Sequence, residues 1–322
     1  MSDAAATERR PVDPGFEPLL ALLADPASVP LSSLDPPTAR EVFRNLRGAE
    51  GGPATVLSVR DRTVPGPDGD VPVRVVVPDV ERPTGVLVWC HGGGWVIGDL
   101  DTAAPTQASL ADKASCVVVS VDYRLAPEHP APAGLEDCWA VTAWVADHLA
   151  DFGVTGGRVA VGVDSAGGNL AALVALWAGR EGGPPLALQL LVYPATDLTM
   201  AHPSIAQNAE GYFLTADAMR WFTDHNLSAG VDPADPSVSP LFAAPEDLAR
   251  TPPALVHVAG YDPLRDEGSA YGEALAAAGV AAEVVEYPTM IHGFYAMGAM
   301  TPVADEALAA AAARLRHAFG SS

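Results

Sequence analysis

The chain has 322 residues, 49% of them hydrophobic, and 40 acids against 18 bases give it a net charge of −22. That length and apolar content support a sizeable buried core and exclude a disordered chain or a minimal domain. The acidic balance excludes nucleic acid and anionic membranes as partners, and an odd set of three cysteines in apolar runs (Cys90, Cys116, Cys138) excludes a disulfide framework.

Met1 to Pro14 is polar, with no apolar stretch of the kind a secretory signal carries. No apolar run reaches the ~20 residues a membrane-spanning helix needs. A soluble cytoplasmic protein is the expectation. Helical pieces follow. Phe16, Leu19, Leu20, Leu22 and Leu23 fit one apolar helix face, and Asp35-Pro36-Pro37 reads as a helix start. That second helix is expected to bury Val42, Phe43 and Leu46 and to stop at Gly48. Residues 1–50 precede any strand, so they are expected to pack on the main domain as cap helices.

Strand patterns then begin. Thr55–Val64 and Asp70–Val77 alternate around Pro-Gly-Pro-Asp-Gly, which predicts an antiparallel hairpin. Continuous β-branched runs follow at Gly85–Cys90, Cys116–Val121, Val159–Val163, Leu188–Tyr193, Ala254–Ala259 and Ala281–Tyr287. Such runs suit parallel strands buried on both faces. Helical patterns separate most of them, at Pro105–Ala114, Leu135–Leu149, Asn169–Gly179, Arg265–Ala278 and Ala304–Phe319. The alternation predicts a doubly wound, mostly parallel sheet with helices on both faces. From about 197 to 250 it fails. That interval has no good strand and reads as a functional insertion within a 51–322 domain.

One junction carries chemistry. In Val163-Asp164-Ser165-Ala166-Gly167 a strand turns abruptly into a helix and lifts a serine hydroxyl clear of the backbone. A serine needs a base, a group to orient the base, and donors for the oxyanion. Of eight histidines, His292 directly follows the last strand and has Gly293 beside it. His257 lies within a strand and reads as packed and neutral. His91 and His129 read as loop-fixing, as does Glu128. Asp262 falls just beyond a neighbouring strand, whereas Asp266 and Glu267 sit where acids favour a helix N-terminus. His91-Gly92-Gly93-Gly94-Trp95 ends another strand, where glycines turn backbone amides inward. Gly93, Gly94 and Ala166 are the candidate oxyanion donors. The order Ser165, Asp262, His292 is the order of α/β-hydrolases. Trp95, Tyr193, Phe213, Leu214 and Ile291 are candidate substrate-binding residues, with Tyr212, Met219 and Trp221 nearby in the insertion.

The chain resembles the hormone-sensitive-lipase-like group of α/β-hydrolases, the bacterial family IV esterases. The resemblance rests on HGGGWVIGDLDT (91–102), DYRLAPEHPAPAGLEDC (122–138), DSAGGNLAA (164–172), YPATDL (193–198), EGYFLT (210–215), AGYDPLRDEG (259–268) and EYPTMIHGF (286–294). It implies an α/β-hydrolase fold of eight strands with a helical cap, built from the N-terminal helices and the 197–250 insertion. It also implies Ser165, Asp262 and His292 as triad and Gly93, Gly94 and Ala166 as oxyanion donors. No cofactor or metal is implied. The implied function is a serine carboxylesterase acting on small esters with short acyl chains, and several members dimerise through the last strand's edge. Val163 departs from the family, which has glycine two residues before the nucleophile. An amidase or arylformamidase uses the same triad, and other members of the fold bind ligands without catalysis.

Overall fold

The computed structural model describes residues 9–47 and 56–320, and the side chains of Val56, Leu57 and Val163 lie outside that description. Gly48 and Thr55, read above as a helix stop and a strand start, lie outside it too. Eight strands form one sheet: β1 (Val56–Gly66), β2 (Gly69–Pro78), β3 (Val86–Cys90), β4 (Val117–Val121), β5 (Val159–Asp164), β6 (Leu186–Val192), β7 (Ala254–Tyr261) and β8 (Ala282–Ile291). Their spatial order is β1-β2-β4-β3-β5-β6-β7-β8. β1 and β2 form the expected hairpin, and β2 also runs antiparallel to β4; every later pairing is parallel.

Every residue of β3, β4 and β7 is buried, which is why these strands read as unbroken apolar runs rather than alternating ones. Each such valine or leucine contributes ~1.5–3 kcal/mol relative to exposure. Two helix layers cover the sheet. α3 (Ala104–Ala114) packs with α10 (Val303–Phe319), and α4 (Ala133–Asp147) with α5 (Ala166–Glu181). α10 buries Ala304, Ala307, Leu308, Ala311, Ala312 and Leu315, a stripe at three- and four-residue spacing. It ends at Gly320, whose φ of 84° is the left-handed cap conformation. α5 is buried throughout from Ala166 to Leu176, so small and aliphatic residues fill it all round. α9 (Arg265–Ala277) lies between β7 and β8.

Between β6 and β7 the chain has no strand. It forms α6 (Pro203–Gln207), α7 (Ala216–Asn226) and α8 (Pro245–Leu248) with turns between them. The N-terminal segment forms α1 (Glu17–Leu23) and α2 (Pro36–Arg47). Asp35 caps α2 as its position suggests, accepting the Thr38 amide at 3.0 Å.

Three expectations are corrected. Val42 and Leu46 are 47% and 48% exposed rather than buried, and Leu22 and Leu23 are 62% and 43% exposed. Among the described residues of this segment only Phe16 and Ala39 reach the interior fully, because α1 and α2 lie over an opening and not over the sheet. β8 continues past Tyr287 to Ile291, because Pro288 is tolerated on a strand at the sheet's edge. α5 starts at Ala166, three residues earlier than its apolar pattern, since the glycines of its first turn hide the periodicity.

Candidate active site

The parallel strands deliver the reactive side chains to one edge of the sheet. Ser165 follows β5 and caps α5 with φ 60° and ψ −126°, a strained conformation for a residue with a side chain. Backbone bonds hold the strain in place. The Ser165 amide donates to Val192 O at 2.9 Å, and its carbonyl accepts from Asn169 and Ala195, each at 3.3 Å. Val163 does not interrupt the strand, since its backbone pairs with Leu191.

Asp262 follows β7 and is fully buried. Its Oδ1 accepts the Leu264 amide at 2.9 Å, which fixes the carboxylate plane. His292 follows β8 and is 6% exposed. Its Nδ1 lies 2.7 Å from Asp262 Oδ2 and its Nε2 3.0 Å from Ser165 Oγ. A buried carboxylate on Nδ1 selects the tautomer with the proton there, so Nε2 is free to accept the serine proton. The three groups, 127 residues apart at their extremes, form one hydrogen-bonded chain.

The loop after β3 completes the arrangement. Its internal bonds run from the Val96 and Ile97 amides to Gly93 O at 3.1 and 2.9 Å, and from the Gly92 amide to Asp164 Oδ1 at 3.2 Å. None of them uses the amides of Gly93 and Gly94. Both glycines have positive φ, 122° and 57°, so a side chain would be strained at either. At Gly94 a Cβ would also meet the Phe222 ring at 2.1 Å. The Ala166 amide, in the first turn of α5, has no partner within the helix. His91 is buried, donates from Nδ1 to Gly92 O at 2.8 Å and stacks on Tyr123 at 4.4 Å. Burial holds its pKa below the ordinary range.

A cavity of about 540 Å³ opens over Ser165 and His292. Trp95, Tyr193, Phe213 and Leu214 contribute to its wall, as do Leu23, Val42, Phe43 and Leu46 from the N-terminal helices. The Tyr193 ring lies 4.6 Å from that of His292. Ile291 is different. It is fully buried in β8 opposite Tyr261, contributes nothing to the cavity, and anchors the strand that ends in His292.

Four features escape a reading of the sequence. Asp164 ties the glycine loop to β5. Phe222, a half-buried residue of α7, covers Gly94. Arg9 donates to Gly260 O at 2.6 Å and Asn208 Oδ1 at 2.7 Å, while Asn208 donates to Asp262 O at 2.9 Å. Glu267 has more than the helix-terminus role expected for it. It is fully buried, and its Oε1 accepts the Thr196 and Asp197 amides at 2.8 and 3.2 Å. Burial pushes its pKa well above the usual carboxylate range, against the pull of those two bonds. Nothing local in Asp266-Glu267 distinguishes the buried acid from the partly exposed one. His257 is buried as expected, with Nδ1 2.6 Å from the Tyr295 hydroxyl and its pKa pushed down by burial to about 4.

Residues 87–296 match a family model described as the alpha/beta hydrolase fold. The chain is 42% identical over 321 residues to the carboxylesterase NlhH of Mycobacterium tuberculosis, covering 97% of this chain and 99% of that one. It is 46% identical over 262 residues to the carboxylic ester hydrolase LipN of the same organism, covering 80% and 69%. Among solved structures, a thermostable esterase from Pseudomonas putida superposes with a TM-score of 0.92 at 36% identity, covering 96% of this chain and 98% of that one.

Proposed function

The chain belongs to the hormone-sensitive-lipase-like carboxylesterases of the α/β-hydrolase superfamily, and from that membership we propose that Ser165, Asp262 and His292 carry out ester hydrolysis through an acyl-enzyme. The observation that carries the assignment is the continuous Ser165–His292–Asp262 hydrogen-bond chain beneath the cavity. His292 Nε2 takes the Ser165 proton as Oγ attacks the ester carbonyl. Asp262 holds the ring and stabilises the imidazolium. The Gly93, Gly94 and Ala166 amides receive the oxyanion, each worth ~2.7–4 kcal/mol of transition-state stabilisation. His292 then protonates the departing alcohol, and water repeats the cycle on the acyl group.

The reactants are small esters. A cavity of about 540 Å³ is within the size of small-molecule sites. Phe222 over Gly94 narrows the space beside the oxyanion amides, which supports a short acyl chain. A p-nitrophenyl ester series from acetate to palmitate tests this. The optimum is expected at short chains, and an optimum at palmitate overturns the short-chain reading. Ser165→Ala is expected to abolish p-nitrophenyl acetate turnover with the fold intact by circular dichroism. Near-normal activity in that variant rejects Ser165 as the nucleophile.

Self-association through β8 is supported by its position at the sheet edge, with Val284 38% exposed. Light scattering tests it. A dimer that a β8 proline substitution converts to monomer is expected, and a monomeric wild type contradicts it.

A further inference from the structure

Helix α2 supplies Val42, Phe43 and Leu46 to the cavity wall, while its Ala39 packs with Val96, Ile97 and Ala126. Arg40, next to Ala39, is the polar part of the same contact. Its Nε donates to Val96 O at 2.8 Å and its Nη2 to Ala126 O at 2.9 Å. Nη1 and Nη2 also grip the Glu128 carboxylate, at 2.8 and 2.6 Å. Those bonds hold the Glu128 carboxyl down at about 2, so the pair stays ionised at any working pH. Glu128 is half exposed, and such a pair adds little stability by itself. Its bidentate grip aims the guanidinium at the two carbonyls.

Val96 lies two residues beyond Gly94, and the carbonyl that Arg40 binds is one end of a relay. A trans peptide is a rigid plane whose C=O and N–H point in opposite directions. The Val96 carbonyl shares its plane with the Ile97 amide. That amide donates to Gly93 O at 2.9 Å, and the Gly93 carbonyl shares its plane with the Gly94 amide. The row therefore runs from Arg40 Nε–H to Val96 C=O, from Ile97 N–H to Gly93 C=O, and out through Gly94 N–H.

Every link points the same way. A carbonyl that accepts a hydrogen bond makes the amide across its plane a stronger donor, and a charge at the head of the row adds to the effect. The surroundings are dry: Val96 is 0% and Ile97 2% exposed, and Phe222 covers Gly94. A low dielectric preserves such polarisation. The same bonds fix the direction of the Gly94 N–H, because a plane held at its carbonyl cannot turn its amide away.

We propose that Arg40, on the cap helix, is a positioning residue for ester hydrolysis, aiming and polarising the Gly94 oxyanion amide through the Val96 and Gly93 carbonyls. The proposal rests on the esterase reading and adds to it a residue that does not touch the substrate. Helix α2 then takes part in catalysis as well as roofing the cavity.

Arg44 supplies the control. One turn further along α2, its Nε donates to Asp99 Oδ2 at 2.7 Å, so it ties the same helix to the same loop without binding a carbonyl of the relay. Arg40→Ala and Arg44→Ala are compared with the wild type on p-nitrophenyl acetate. Both are also tested for inhibition by an alkyl trifluoromethyl ketone, whose adduct with a serine carries an oxyanion. Arg40→Ala is expected to lower kcat about tenfold with little change in KM, a fraction of the roughly 10²–10³ that outright loss of an oxyanion donor costs. The ketone is expected to bind more weakly by a similar factor. Arg44→Ala, which loses an exposed ion pair, is expected to change both by less than about twofold. Arg40→Lys keeps the charge and lacks the Nε–H, so it is expected to recover only part of the loss, and it carries the test if Arg40→Ala does not fold. A rise in KM with kcat unchanged, as for a helix that only roofs the cavity, overturns the proposal. So does Arg44→Ala matching Arg40→Ala, a ketone affinity that Arg40→Ala leaves unchanged, or wild-type kcat in Arg40→Lys. Turnover that survives Ser165→Ala is the separate result that overturns the esterase reading itself.

Discussion

Ser165 shows how one residue's strain is kept. Its φ of 60° is costly for a side-chain-bearing residue, and three backbone bonds to neighbouring elements hold it there. Two buried titratable groups behind the site set opposite pH dependences. His257 is neutral in the folded protein down to about 4, against 6.5 when unfolded. Between those values the unfolded chain binds the extra proton, so stability is lost as pH falls from 6.5 towards 4. At 1.36 kcal/mol per pH unit the loss is roughly 3 kcal/mol. Thermal denaturation across that range is expected to show it, with a shallower slope in His257→Gln. Glu267 acts in the other sense. Its unfolded carboxyl ionises near 4.5 while burial keeps the folded one protonated to higher pH, so stability falls as pH rises above 4.5. Glu267→Gln keeps the two amide bonds and removes the titration. Its Tm is expected to exceed the wild type's by more at pH 8 than at pH 5.

The elements differ in how far their sequences reveal them. The sheet and its flanking helices were legible, because continuous β-branched runs and stripes like that of α10 have only one way to be buried. The loops after β3, β5, β7 and β8 stand out in the sequence for a related reason: glycine runs, an abrupt strand-to-helix junction and a histidine at a strand end are local signals, and the fold brings these loops together. Contacts between distant segments were not. Val42 and Leu46 have a core-like spacing, but α2 spends that face on the cavity. Arg9 carries no local mark at all. It stacks 3.6 Å over Tyr261 and binds Gly260 and Asn208, and so braces the loop that carries Asp262. Arg9→Ala is expected to lower kcat about tenfold with little change in KM, since misplacing the acid affects chemistry more than binding. Arg9→Lys lacks the planar fork and is expected to recover only part of this. α7 supplies Phe222 above Gly94, and Phe222→Ala is expected to shift the chain-length optimum towards longer acyl groups.

At the scale of the whole molecule, charge and architecture act separately. A net charge of −22 opposes compaction by self-repulsion, and salt screens it. Tm is expected to rise from low salt to about 1 M sodium chloride; a fall would mean that ion pairs such as Arg124–Asp137 outweigh the repulsion. Among the described residues no helix is long and apolar enough to cross a membrane. The architecture gathers residues from four loops, 92 to 292 in sequence, onto one edge of a parallel sheet, and this is why a site scattered along the chain is compact in space. The most direct measurement of that claim is labelling with a fluorophosphonate, followed by peptide mass spectrometry. One adduct per chain on Ser165, lost on mutation of His292 to alanine, is the expected result. Ester turnover that persists with Ser165 unlabelled, or an adduct on a different residue, would contradict it.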